Sequence, residues 1–240
     1  MNMEEMKNSV RNAPQGSIVI AIDGPAGAGK STLSRELAKQ IGFFILDTGA
    51  LYRAMALGLL RQGCSVDSSI VPPDLLGEIK IRVEPCKTSM KLFLNNELLG
   101  DEIRDEYVGS AASRFAVLPE VRQALLDTQR DLAKSWNIVA EGRDMGIVVF
   151  PDAFIKFFVT AELEERAKRR FTELLERGEK PYYSVVLNEM RARDIRDESR
   201  KTAPLAPASD SIVIDTTHLT PKAALNKMLE LIEAKYEISG

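Results

Sequence analysis

The chain of 240 residues contains one histidine and only two cysteines, Cys64 and Cys86. That scarcity rules out a Cys/His zinc site and a disulfide framework, and it suits a reducing compartment. An excess of basic charge is missing too: 32 Lys plus Arg face 35 Asp plus Glu, giving a formal charge of −3. A broad nucleic-acid-binding face is thereby excluded. Any basic site must be local, as a small phosphorylated ligand requires. No apolar run reaches the roughly 20 residues that span a bilayer. Residues 1–16 are polar and lack the apolar centre of a signal peptide, and they read as a disordered lead-in. The expectation is a soluble, cytoplasmic protein with no nucleic-acid or membrane partner. No long apolar face demands a partner chain, so a monomer is expected. With 45% hydrophobic residues the chain can bury a substantial core. One domain over residues 17–240, with insertions, is expected rather than two independent ones.

What the chain does have is Gly24-Pro25-Ala26-Gly27-Ala28-Gly29-Lys30-Ser31. This fits G-x-x-x-x-G-K-[ST], the phosphate-binding P-loop. It sits between the apolar run Ser17–Ile22 and a helical pattern in which Leu33, Leu37 and Ile41 recur every four residues. In such a loop the backbone N–H groups converge on phosphate oxygens, helped by the N-terminus of the following helix. Residues Gly24 to Thr32 form the candidate ATP site. Lys30 would reach the β- and γ-phosphates and Ser31 would hold Mg²⁺. The motif alone does not separate kinase, GTPase and motor.

Further along, strand-like and helix-like segments alternate. Phe43–Asp47, Ile138–Ala140, Phe154–Val159 and Ser211–Asp215 read as buried strands that join Ile18–Asp23. Thr48-Gly49 reads as a turn and Gly63 as the end of the next helix. Pro119 and Pro221 read as first-turn residues of helices, the latter capped by Thr220. Between Pro73 and Arg104 the pattern changes to period 2, in Lys80–Glu84 and Lys91–Leu94. Short, exposed antiparallel strands with a turn at Asn95-Asn96 are expected there. The predicted fold is α/β: five parallel strands with helices on both faces, plus a small β insertion. Ligands then bind beyond the carboxyl ends of the strands. Asp23-Gly24, Asp47–Arg53 and Glu141–Gly146 lie at that rim. Asp47–Arg53 supplies a hydroxyl, a phenol and a guanidinium. In Glu141–Gly146, Arg143 and Asp144 are adjacent opposite charges that could also be a simple surface pair. A further cluster, Arg191 to Arg200, places Arg193, Asp197 and Arg200 at i, i+4 and i+7 on one helix face. Basic residues also crowd Arg166, Lys168, Arg169 and Arg170. Such runs are often solvated helices, but arginines on a mobile segment also suit phosphoryl transfer.

Together, the P-loop, Asp47-Thr-Gly-Ala-Leu-Tyr-Arg53, Glu141-Gly-Arg-Asp-Met-Gly146, Arg193-Asp-Ile-Arg-Asp-Glu-Ser-Arg200 and Ala203-Pro-Leu-Ala-Pro-Ala208 resemble the bacterial cytidylate kinases. The resemblance runs from about Ser17 to the last helix. It implies a P-loop kinase core (about 17–72, 105–160 and 201–240). A CMP-binding insertion at about 73–104 and a lid with flanking helices at about 161–200 complete the implied organisation. It implies transfer of the γ-phosphate of ATP, with Mg²⁺, to CMP or dCMP. Thr48, Arg53 and neighbouring Tyr52 are implied to help hold CMP. Ser113, Arg122 and Asp144 are implied as base contacts. Arg143 takes the place of a phosphate or active-site arginine. Arg193 and Arg200 resemble ligand-phosphate arginines, and Asp197 a sugar-hydroxyl ligand. Arg196 joins Lys30, Arg143 and Arg193 among the candidate catalytic residues. Glu141 stands where some relatives have Asp, near the metal region. A kinase for UMP, AMP or an alcohol is the nearest rival. A GTP-hydrolysing switch is disfavoured, because Asn226-Lys227-Met228-Leu229 lacks the Asp of a guanine reader.

Overall fold

Ile20 and Ile22 of strand β1 (Val19–Asp23) are fully buried on one face of a sheet, and Ala21 between them on the other. The same alternation separates Ile45 from Leu46 in β2 (Phe44–Asp47), and Val139 from Ile138 and Ala140 in β6 (Ile138–Glu141). With β7 (Ile155–Thr160) and β8 (Ile212–Asp215), these strands form one parallel sheet in the order β2-β6-β1-β7-β8. The computed structural model describes residues 18–86, 89–200 and 202–239. The lead-in expected at residues 1–16, and Ser17, lie outside them.

Two-sided burial demands helices on both faces. One face is covered by α1 (Lys30–Ile41) and α8 (Pro221–Ser239), through Leu33, Leu37, Ile41, Met228 and Ile232. Against the other pack α2 (Thr48–Arg61), α4 (Glu106–Phe115) and α5 (Pro119–Ser135). Thr48-Gly49 is not a turn. It is the first turn of α2, because the Asp47 side chain accepts from Ala50 N and caps the helix. Such a cap contributes about 1 kcal/mol.

Between α2 and α4 the chain leaves the sheet. It forms a short helix α3 (Pro73–Glu78) and then an antiparallel sheet of β3 (Ile81–Cys86), β4 (Ser89–Leu94) and β5 (Glu97–Leu98). Asn95 and Asn96 both take positive φ, 49° and 71°, the geometry of a tight hairpin turn. The expectation of exposed strands holds for one face only. Leu92 and Leu94 are buried in the core that contains α2. The helix α3 was not legible in the period-2 pattern, and α4, beyond that region, was not anticipated.

Two further helices, α6 (Leu163–Glu176) and α7 (Tyr183–Glu198), pair with each other after β7 around Ala167, Leu174, Val186 and Met190. α7 ends at Glu198, so Arg200 is not on its face as the i, i+7 spacing implied. It is instead tied back by Arg200 Nε donating to Asp197 O at 3.2 Å.

Candidate active site

Three carboxyl-terminal strand ends, Asp23, Asp47 and Glu141, stand side by side because β1, β6 and β2 are neighbours in register. The loop from Gly24 leaves β1 with φ +145° at Gly24. A Cβ there would stand 1.9 Å from Val159 O, a backbone atom, so only glycine fits. Gly29, also at positive φ, leads into α1, where Lys30, Ser31 and Thr32 form the first turn. Lys30 is buried, and its Nζ donates to Pro25 O at 2.7 Å. Burial, then Arg143 and Arg193, push the ammonium well below its usual range, with Glu141 and Asp23 opposing. The loop is braced from the α6 side. Arg166 donates to Ala26 O at 3.1 Å, to Ala161 O at 2.8 Å and to both oxygens of Asp194. Thr216 Oγ1 donates to Ala28 O at 3.0 Å.

Glu141 carries the most exceptional carboxylate. Both its oxygens are buried without a hydrogen-bond partner. Burial first, then the nearby Asp47, raise it to about 7, against Lys30 and the Ser31 hydroxyl. An orphaned carboxylate beside the P-loop serine matches the chemistry of a cation site. Among the described residues no group of three or more His, Cys, Asp or Glu forms a protein-only metal cage.

A second cluster lies across β6. Thr48 Oγ1 donates to Glu141 O at 2.7 Å, which ties α2 to the rim. Arg53 Nη1 donates to Ile103 O at 2.9 Å and Asp105 O at 3.1 Å. Tyr52 is pushed up to about 12, chiefly by burial. Arg122 and Asp144 are both buried and form a charge-assisted pair, with the Arg122 guanidinium 5.7 Å from the Tyr52 ring centre. Burial still leaves the Asp144 carboxyl above its usual range, even with Arg122, Arg200 and Arg143 opposing. Ser113 Oγ is buried and unpartnered. Arg143 and Asp144 are not a surface pair with each other. Arg143 turns the other way, with Nε donating to Asp197 at 3.0 Å. Burial works to raise Asp197, but Arg143, Arg193 and Arg200 outweigh it and hold the carboxyl low.

Arg193 is drawn down to about 10, first by burial and then by Arg143. Its Nε, the Nε of Arg196 and Nη2 of Arg200 are buried without acceptors. The cations therefore outnumber the anions that could pair them, which is the electrostatic signature of a site built for a polyanion.

The structure thus brings the sequence-predicted residues together around the carboxyl-terminal rim of the sheet. Sequence reasoning gave no role to Asp23, whose carboxylate accepts from Met145 N and Gly146 N at 2.8 Å each. An acidic residue closing an otherwise apolar strand was the available signal.

A family model described as cytidylate kinase matches residues 20–234. The cytidylate kinase of Pasteurella multocida is 42% identical over 223 residues, covering 93% of this chain and 98% of that relative. Those of Dichelobacter nodosus and Caldicellulosiruptor saccharolyticus are 43% and 44% identical, each over at least 91% of this chain. The shares of those two relatives are the same, 97% each.

Proposed function

The chain belongs to the cytidylate kinase family, and from that premise we infer that it transfers the γ-phosphate of ATP to CMP or dCMP, giving ADP and CDP or dCDP. The observation that carries the inference is a set of arginine nitrogens buried without a hydrogen-bond acceptor, Nε of Arg193, Nε of Arg196 and Nη2 of Arg200. Residues Gly24–Thr32 receive the ATP phosphates. The pocket of Thr48, Tyr52, Arg53, Ser113, Arg122 and Asp144 receives CMP. Arg143, Arg193 and Arg200 face the phosphates, and Asp197 the sugar. The insertion at 73–104 closes over CMP and the segment 161–200 acts as the lid.

A CMP phosphate oxygen is already ionised, so it attacks the γ-phosphorus in line without a strong general base. Lys30, Arg143, Arg193 and Arg196 offset the charge spread over the transferring group. Ser31 and the orphaned Glu141 carboxylate would hold Mg²⁺, which when bound supplies further neutralisation of the nucleotide phosphates. Closing of α6 and α7 over the loop excludes water and limits ATP hydrolysis. Cytosine is chosen by groups that pair its exocyclic amine and ring nitrogen. Asp144 accepts from the amine, while Arg122 and Ser113 donate, so uracil leaves buried groups unpaired. The working unit in this proposal is a monomer.

The test is ADP release from ATP·Mg²⁺ with CMP, dCMP, UMP, AMP or no acceptor. Stimulation by CMP and dCMP alone is expected. Equal stimulation by UMP or AMP would discard the cytosine assignment and leave the P-loop assignment standing.

A further inference from the structure

The segment after Asp144 is a single wide helical turn, Met145–Val149. Val148 N and Val149 N both donate to Asp144 O, and Phe150 N donates to Met145 O at 2.7 Å. A π-type turn of this length is not self-sustaining, and Asp144 at its start has φ −147°, outside helical geometry. Arg122 holds the Asp144 side chain, but within the turn only the two bonds to the Asp144 carbonyl hold its backbone.

Two side chains from elsewhere grip its ends. At the amino end, Asp23 Oδ1 accepts from Met145 N and Oδ2 from Gly146 N, both at 2.8 Å. At the carboxyl end, Arg130 of α5 donates Nε to Val149 O at 3.1 Å and Nη2 to Val148 O at 2.9 Å. Each takes two backbone groups that a one-turn helix would otherwise leave orphaned. Asp23 is kept buried for this, where desolvation and the neighbouring Asp144 both disfavour its charge and Lys30 favours it. Neither Asp23 nor Arg130 pairs with Asp144.

We propose that Asp23 and Arg130 are positioning residues for acceptor selectivity: together they clamp the 145–149 turn and thereby fix the direction in which Asp144 meets the acceptor base. The proposal rests on the assignment of Asp144 as the base reader. Discrimination between an amine and a carbonyl at one ring position depends on hydrogen-bond alignment, so a turn free to shift blurs it. Asp23 thus links the strand that feeds the ATP loop to the pocket that reads the acceptor.

The test compares Asp23→Asn, Arg130→Met, Arg130→Lys and Asp144→Asn, with kcat and KM measured for CMP, UMP and ATP. Asn at 23 keeps the shape but aims an amide donor at one N–H. Met at 130 keeps the stem without donors. Lys at 130 keeps the charge without the two-point fork. Asp23→Asn, Arg130→Met and Arg130→Lys should each cut the CMP-over-UMP ratio of kcat/KM about tenfold, the scale of one misaligned charged hydrogen bond. The loss should come through a higher KM for CMP, with KM for ATP within about twofold. Asp144→Asn should cut the ratio further. If the two Arg130 variants and Asp23→Asn slow both acceptors alike and leave the ratio intact, the clamp is refuted while the base reader stands. An unchanged ratio in Asp144→Asn overturns the base assignment itself. Arg130 lies on the surface, so its variants decide the matter even where Asp23→Asn fails to fold.

Discussion

Gly109 lies directly beneath the guanidinium of Arg53: a methyl carbon added at Gly109 would stand 2.6 Å from Arg53 Nη2. The guanidinium is itself held by the carbonyls of Ile103 and Asp105 and cannot retreat without losing both bonds. Gly109 is inside helix α4, where Ala is favoured over Gly by about 1 kcal/mol. Gly109→Ala should therefore lower thermal stability slightly, the lost Arg53 bonds outweighing the helix gain, and raise KM for CMP about tenfold with KM for ATP unmoved. Steady-state kinetics beside a melting curve reads both. A normal KM for CMP would remove Arg53 from the acceptor site.

Lys30 is a buried cation whose charge is opposed by burial, Arg143 and Arg193. Glu141 and Asp23 offset that cost only in part, and an anionic ligand would offset more of it. Lys30→Ala should lower kcat at least about a hundredfold with every acceptor, while the ligand-free protein melts no lower than wild type. Near-normal turnover in this variant would sink the phosphate-loop assignment.

Glu141 makes a signed prediction about pH. Its folded value is about 7 against 4.5 for the free side chain. Between those values the folded state binds more protons than the unfolded one, so stability is lost as pH rises through that window. Glu141→Gln removes the effect. The variant should match wild type near pH 4.5 and exceed it at pH 8 by roughly 1–3 kcal/mol. Denaturant titrations at the two pH values measure the difference. Its turnover should nonetheless fall, because the carboxylate beside Ser31 is gone. A variant that is less stable at pH 8 would show that the carboxylate is well solvated or paired.

Arg166 joins the P-loop to α7 through Ala26 O and Asp194, and both charged side chains are largely buried, at 7% and 13% exposure. Removing one partner strands the other charge. Arg166→Met should cost about 3–5 kcal/mol, whereas Arg166→Met with Asp194→Leu should recover much of it. Chemical denaturation of the two proteins distinguishes a stranded charge from lost packing, since equal losses would indicate packing alone.

Much of this protein is local and was legible in the chain. The spacing of Leu33, Leu37 and Ile41, the glycines of the phosphate loop and the apolar strands follow from short-range rules of periodicity and backbone freedom. The resemblance in Asp47–Arg53, Glu141–Gly146 and Arg193–Arg200 pointed to the same rim. What only the tertiary structure decided is which charge meets which. Arg143 and Asp144, neighbours in sequence, point to Asp197 and Arg122 respectively, because the backbone turns between them. Asp23 reaches residues 122 and 123 positions away, and Gly109 matters only because Arg53 lies over it. Buried ion pairs and close approaches depend on distances between segments far apart in the chain. A helical or strand period carries no information about those distances; packing of the sheet and its helices sets them.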